Sequence, residues 1–524
     1  MTSEPQSGTT AAIQSLPEAR PSAPRPISRR VYLEFVILAL MLFTIFSLFQ
    51  YPLRRINSDS EVNFNEGWNA YRQAFAQQGI PLYSSPPDLS TGATNYPPLS
   101  FHIVALLSFH GDVVKTARWI SVYSLILTGI FIALIVRELG ASIAIAAFSM
   151  LLYILGIAVF LPDRIGMDDP QLLGEVFTTA GLYLYLRARN SSAMLCISAL
   201  AFCLAGFTKQ NLIAFPAAVA IDLLLRSRKR FAIWCGAMLV FGGLLLGLTF
   251  AIDGRYFFDH LLTHRAYSFD AGLGSITHFY LATFQGVMLV ALVWTLCRFR
   301  SQPLVAMAFL FSNALAFVLA GGDGVDLNIY FNGFAAAVMV CGVALAEISQ
   351  PSATEAEDSN ASERLILPAN FIGKLSVALM AALFLCVALR VPDRLREAHL
   401  RGQFMADDDA GFRAAVDLMK ATPGPALCES LLACYRAGKP YTFDTYTAIE
   451  EIKSHHTDVD ASLPLLRSRH FAVIQLDALP GEAVTEPPTI FRTRSRFTPA
   501  FVDTLLENYR VALRTSHMLL FVPK

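Results

Sequence analysis

The chain has 524 residues, 54% of them hydrophobic and only 16% charged, whereas roughly a quarter of a soluble protein is charged. Lysine plus arginine equal aspartate plus glutamate, 41 each, so the overall charge leaves no electrostatic footprint for nucleic acid. The apolar residues come in blocks near the ~20 residues that a bilayer crossing needs. A soluble globular protein is thereby excluded, and a polytopic α-helical membrane protein is indicated.

Residues 1–28 are rich in Ser, Pro, Thr and Ala without apolar periodicity, and are expected to form a disordered cytoplasmic tail. They are not a signal peptide, because the apolar run that follows is too long and leads to no small-residue cleavage site. Spans are expected at 32–50, 114–136, 142–160, 172–188, 193–206, 212–225, 231–252, 280–297, 303–320, 330–348 and 371–389, about eleven in all. The pair flanking Thr208-Lys209-Gln210 is short and reads as tilted or re-entrant. Leu99–Phe109 is apolar but roughly half a span long, so it is expected to lie on the membrane surface.

Basic residues set the orientation. With the N-terminus inside, Arg29/Arg30, Arg187/Arg189, Arg226/Arg228/Lys229/Arg230 and Arg298/Arg300 all fall on the inner side. The outer side then receives 51–113, 161–171, 207–211, 253–279, 321–329 and everything after 390. The inner loop 349–370 is low-complexity and reads as a flexible linker. The expected division is a tail (1–28), a membrane unit (29–390) with a first outer loop (51–113), and a small α/β domain (391–524) on the outer face. Within that domain Ala426–Ser430 and Phe471–Leu476 read as strands, and Asp408–Lys420 and Pro499–Tyr509 as helices. Of eight cysteines most lie in apolar spans as small hydrophobes. Cys428 and Cys434 lie in the polar C-terminal region, either as a disulfide or as two free thiols.

The outer segments share acids, bases and aromatics. The first holds Asp59, Glu61, Glu66, Tyr83 and Tyr96; the second, Asp163, Arg164, Asp168 and Asp169; the third, Lys209 and Gln210. The fourth holds His260, His264 and Arg265, and the fifth Asp323, Asp326, Asn328 and Tyr330. Charged groups at span ends are expensive unless solvated or paired, and often mark function. Lys209 and Arg265 suit an anionic headgroup, while a carboxylate activates a nucleophile. Each also has a plainer reading. Asp169 before Pro170 is a common helix start, Lys209 can snorkel to the interface, and the histidines read as solvated. No cysteine or histidine spacing of the metal-binding kind is present.

Six stretches carry a resemblance: Asn65-Glu66-Gly67, Gly79…Leu82-Tyr83, Tyr96-Pro97-Pro98-Leu99, Arg164…Asp168-Asp169-Pro170, Thr208-Lys209-Gln210 and Asp326…Asn328…Tyr330. In this order, over about 45–345, the chain resembles the GT-C glycosyltransferases, in the bacterial branch of protein mannosyltransferases and lipid A aminoarabinose transferases. The resemblance implies a sugar on polyprenyl phosphate as donor and a lipid, glycan or protein hydroxyl as acceptor. It places the reaction at the outer face of the cytoplasmic membrane of a bacterial cell. The family's usual catalytic residue is a carboxylate in the first outer loop, commonly in an Asp-Glu pair; here the pair is Asn65-Glu66. The implied roles are Glu66, or Asp59 instead, as base; Asp168 or Asp169 orienting hydroxyls; and Lys209 and Arg265 on the leaving phosphate. Tyr83, Tyr96, Arg164, Gln210, Asp326, Asn328 and Tyr330 complete the substrate site. No cofactor is required; a divalent cation bridging carboxylate and phosphate is compatible with the chemistry, though no spacing demands it. The competing classes are a transporter, which would place ionisable groups at mid-span, and a non-catalytic envelope assembly protein.

Overall fold

The computed structural model describes residues 29–88, 92, 94–263, 265–349, 369–454, 457, 460–478 and 497–524. The expected tail 1–28, most of the expected linker (350–368) and His264 lie outside the described residues.

Each apolar block is a helix. The first loop's helices α2 (Asn65–Gln78) and α3 (Leu99–Leu107) follow α1 (Arg29–Arg55). Next come α4 (Val113–Glu138), α5 (Ile143–Phe160), α6 (Pro170–Arg187), α7 (Ser192–Thr208), α8 (Ala214–Arg226) and α9 (Arg228–Ile252). Two short helices, α10 (Phe257–Leu261) and α11 (Phe269–Gly274), lead to α12 (Ala282–Arg298), α13 (Pro303–Leu319), α14 (Phe331–Ser349) and α15 (Ala369–Ala388). The starts are set locally: Asp112, Ser142, Asp169, Ser191 and Ser227 each accept a first-turn backbone N–H, as capping residues do. Six helical stretches among the described residues are long and apolar enough to cross a membrane alone, seven if the bent pair Phe269–His278 and Ala282–Arg298 is one span. The protein is therefore multi-pass. The thirteen-residue α8 extends only ~20 Å at 1.5 Å per residue, short of a ~30 Å hydrocarbon core. The nine-residue α3 is shorter still.

Side-chain contacts order the two ends of the bundle. At one end Arg55 at the end of α1 meets Asp163 after α5, Lys209 after α7 meets Asp169 before α6, and Arg118 in α4 meets Glu66 in α2. At the other, Arg187 and Arg189 meet Glu138, Arg298 meets Glu347, and Tyr185 meets Asp222. The basic clusters thus gather at one end and the candidate site residues at the opposite one.

Helix α16 (Val391–Ala421) leads into a four-stranded sheet of β1 (Ala426–Cys428), β2 (Val473–Asp477), β3 (Tyr509–Arg514) and β4 (Met518–Pro523). The order is β1-β2-β4-β3, with β1 parallel to β2 and the other pairs antiparallel. Short helices α17 (Leu431–Arg436), α18 (Thr445–Lys453), α19 (Ser462–Arg467) and α20 (Pro499–Asn508) surround it. Alternation along the strands divides two cores. Leu427, Ile474, Leu519 and Phe521 face Leu466, Phe501 and Leu505, while Ala426, Val473 and Leu520 face Phe412, Val416 and Met419 of α16. The second core also takes in Ala70 and Tyr71 of α2, so the sheet is fused to the first loop. Gly67 allows that approach: a Cβ there would run into the backbone of Leu431 and Leu432. Cys428 and Cys434 form a disulfide, which selects between the two states left open by the sequence.

Candidate active site

The site is built around the first turn of α2. Glu66 and Arg118 are both fully buried, with 0% side-chain exposure each. Arg118 Nε donates to Glu66 Oε1 at 2.9 Å and Nη2 to Oε2 at 2.7 Å, a bidentate pair. Glu66 also accepts the backbone N–H of Val62 at 2.9 Å and of Asp168 at 3.0 Å. Its four acceptor positions are thus occupied. The remaining guanidinium N–H groups of Arg118 point at the carbonyls of Arg55, Ile56, Ser58 and Ser60. This residue ties the first loop to the bundle. An arginine five residues into an apolar span was the sequence signal for it, since such a charge has to find a partner.

Asp168 lies behind Glu66. Gln73 Nε2 donates to both its oxygens at 2.9 Å, and Asn69 Nδ2 donates to its backbone carbonyl at 2.8 Å. Burial first, and then the neighbouring Glu66, holds the Asp168 carboxyl well above the usual carboxylate range. Asp169 goes the other way. Burial alone would raise it, but Lys209 and Arg164, with hydrogen bonds from Gln171 N–H and Asn328, more than reverse that and hold it below its ordinary value. Lys209 Nζ stands 3.5 Å from Asp169 Oδ1, Arg164 Nη1 3.8 Å from Oδ2, and Asn328 Nδ2 donates at 2.6 Å. Arg164 pairs with Asp326 on its other side. Asp169 is also the α6 cap, accepting from Gln171 N–H at 2.7 Å, so cap and site-residue readings are both realised.

A pocket opens beside this network, lined by Asn65, Asn69, Arg72, Tyr96, Arg265 and Tyr446 among others. Its charged lining is cationic. The Lys209 ammonium lies 4.2 Å from the centre of the Tyr96 ring, within cation–π range. Arg72 is packed over the rings of Phe75 and Tyr441, 5.8 and 5.5 Å from their centres. The loop bearing Tyr96 is pinned by the buried His260, whose Nδ1 accepts Thr94 N–H at 3.0 Å and whose Nε2 donates to the Ser85 carbonyl at 2.8 Å. His260 is therefore a structural clamp rather than a solvated ring.

The fold can now be compared with known ones. Crystal structures of ArnT from Cupriavidus metallidurans, one bound to undecaprenyl phosphate and one in the apo state, match with TM-scores of 0.56 and 0.55. Each is 14% identical, over 94% of this chain and 98% of that chain. The chain thus shares the fold of these ArnT structures. The Archaeoglobus fulgidus oligosaccharyltransferase also aligns, at a TM-score of 0.48 and 11% identity, over 84% of this chain and 68% of its own. No protein-family model and no curated protein matches the sequence.

The expected site residues separate into three groups. Asp168, Asp169, Arg164, Lys209, Asn328 and Asp326 come together as one network, and Tyr96 and Arg265 line the pocket beside it. Glu66 touches that network through Asp168 N–H, and its oxygens are taken by Arg118 and two backbone N–H groups. The others are structural supports. Asp59 pairs with Arg413 of α16 at 3.1 Å, away from the pocket. Tyr83 is buried and donates to the Tyr96 carbonyl at 2.7 Å; Gln210 donates to the Asn95 carbonyl at 2.8 Å; Tyr330 bonds Ser275 at 2.6 Å. The sequence reading missed Arg118, Gln73, Asn69, Arg72 and Tyr446. Among the described residues no three His, Cys, Asp or Glu side chains form a metal-ligand group.

Proposed function

We propose that the protein is a glycosyltransferase that moves a sugar from a polyprenyl-phosphate donor to an acceptor hydroxyl at the outer face of the cytoplasmic membrane. The observation that carries the reading is the cationic pocket of Arg72, Arg265 and the adjoining Lys209, at one end of an apolar bundle with the GT-C fold. The undecaprenyl phosphate bound to ArnT, a protein of the same fold, supports a lipid phosphate as the ligand here. In this reading the eleven expected spans form the membrane unit, the short pair flanking Lys209 being tilted or re-entrant, with the N-terminus inside and the sheet-bearing residues 391–524 outside, because the basic clusters then lie inside together.

The chemistry follows from charge. As the acceptor oxygen attacks the anomeric carbon, the bond to the donor phosphate breaks and negative charge grows on the lipid phosphate. Fixed cations stabilise that charge more in the transition state than in the ground state. Lys209 has three N–H donors, a 3.5 Å ion pair with Asp169 and the Tyr96 ring 4.2 Å away, so it retains donors for a phosphate. Asp169, held ionised by its cations, keeps Lys209 and Arg164 in place, and Asn69 and Asn65 offer amides to sugar hydroxyls. The test is to incubate the purified full chain in nanodiscs with a panel of polyprenyl-phosphate sugars and follow release of free lipid phosphate. Binding of undecaprenyl phosphate with donor-dependent release supports the reading. Neither binding nor release across the panel refutes it.

A further inference from the structure

The acceptor proton needs a taker, and the position where the GT-C pattern commonly has aspartate is Asn65. Three carboxyls stand at the first turn of α2 or against it. The four acceptor positions of Glu66 are filled by Arg118 and two backbone N–H groups, and Asp168, bonded by Gln73, lines neither the cationic pocket nor the cavities that Glu61 lines.

The third carboxyl is Glu61. It lines a cavity of about 500 Å³ between the first loop, α16 and the β3–β4 turn, together with Phe64, Asp408, Ser430 and His517. That cavity runs into a second, of about 800 Å³, which shares Glu61, Val62, Asp408 and His517 and ends among Tyr51, Phe404 and Met405. Phe64 lines both the cationic pocket and the first of these cavities. Phe64, next to Asn65, is thus a wall common to the cationic pocket and to the cavity that Glu61 lines.

We propose that Glu61 is the general base, taking the proton of an acceptor hydroxyl that occupies this cavity, across Phe64 from the donor phosphate. The inference rests on the transferase reading above. The acceptor oxygen forms the new bond to the anomeric carbon and its proton passes to the Glu61 carboxylate. The bond from the anomeric carbon to the phosphate oxygen breaks, and its electron pair leaves with the lipid phosphate. The geometry leaves room for this. Glu61 Oε1 accepts Gly67 N–H at 3.2 Å, and Oε2 accepts the Ser430 hydroxyl. A carboxylate has about four acceptor positions, so unlike Glu66 it has capacity left for a substrate hydroxyl. The groups facing it are Ser430, Asp477, Glu66 of α2, Asp408 of α16 and His517, the last 2.8 Å from Asp408. Burial, then Asp477 and Glu66, against the Ser430 and Gly67 hydrogen bonds, pushes the Glu61 carboxyl well above its ordinary value, in the direction that suits a base working near neutral pH.

The experiment uses the full chain, with two readouts: undecaprenyl phosphate binding and turnover of a polyprenyl-phosphate sugar. Glu61→Gln should leave binding within about two-fold and lower kcat by roughly 10²–10⁴-fold. It should also remove the acid limb of the kcat–pH profile. Glu61→Asp, which keeps a displaced carboxylate, should fall less far than Glu61→Gln. If Glu61→Gln does not fold, Glu61→Asp decides: reduced kcat at unchanged binding supports the proposal, and wild-type kcat overturns it. A Glu61→Gln protein that turns over normally, or that loses binding and turnover together, overturns the proposal and leaves the transferase reading standing. A wild-type protein without binding or turnover overturns both.

Discussion

Replacing Glu66 by glutamine should act on stability before it acts on chemistry. The substitution keeps the shape and removes the charge opposite Arg118, whose side chain has 0% exposure. The new amide has one acceptor oxygen and two N–H groups. It must satisfy a site where four donors converge: Arg118 Nε and Nη2, Val62 N–H and Asp168 N–H. Donor then faces donor on one side, and each buried donor left unmatched costs about 1–3 kcal/mol. Breaking a buried ion pair by removing one partner costs about 3–5 kcal/mol, so two unmatched donors and the uncompensated guanidinium agree in size. A loss of about 3–5 kcal/mol is therefore expected, visible as a lower thermal midpoint and lower yield of monodisperse protein in detergent. Because Arg118 also holds four carbonyls of the first loop, that loop should become accessible to protease as well. The assay is thermal unfolding of wild type and variant side by side, followed by limited proteolysis. A Glu66→Gln protein with unchanged midpoint and protease pattern but abolished turnover refutes the argument and restores Glu66 as the chemical group.

Lys209→Met should weaken undecaprenyl phosphate binding by at least an order of magnitude, since a charge-assisted bond to phosphate is worth ~1.5–3 kcal/mol, with Lys209→Arg recovering part; unchanged binding would assign the phosphate to Arg265 and Arg72 instead. His260 predicts a pH signature. Burial first, with Arg72 also acting, against the Ser85 bond, Asp259 and Asp88, lowers its folded pKa below the usual histidine value. The folded state thus binds fewer protons than the unfolded one, so this stabilisation is complete above about pH 6.5 and is lost as the pH falls from there toward the folded value. Thermal midpoints between pH 5 and 7.5 should fall more steeply for wild type than for His260→Gln, and parallel curves would contradict the clamp. Gly67→Ala should push α17 off α2, because the added Cβ meets backbone rather than a movable side chain; the expected readout is faster proteolysis at the junction between residues 421 and 431, and an unchanged digestion pattern would count against the packing.

The helical frame was legible in the sequence because apolar blocks of span length admit few alternatives, and all eleven expected spans are helices. In the C-terminal region β1, β2 and α20 were anticipated, but β3 and β4 were not. Val511 and Leu513 of β3 alternate with Arg510, Ala512 and Arg514, a period-two pattern of an edge strand that is easily passed over beside a helix. At the site, local motifs marked Asp168, Asp169 and Lys209. The roles were harder to read, because a carboxylate's availability depends on what saturates it. Glu66 is saturated by Arg118 at a separation of 52 residues, and Glu61 meets Ser430 at a separation of 369. Such pairings arise from how the bundle folds back on itself, and no spacing rule reaches across them.

The β3–β4 turn has a consequence for biogenesis. Ser516 and His517 wall the cavity that Glu61 faces, yet they are made some 450 residues after the loop they complete. During vectorial synthesis every helix of the bundle can insert and pack before this wall exists. A polypeptide halted ahead of β4 would carry an intact cationic pocket and the Glu66–Arg118 pair but an open cavity. Tying β3 and β4 to the first loop means that translation itself sets when this cavity gains its wall.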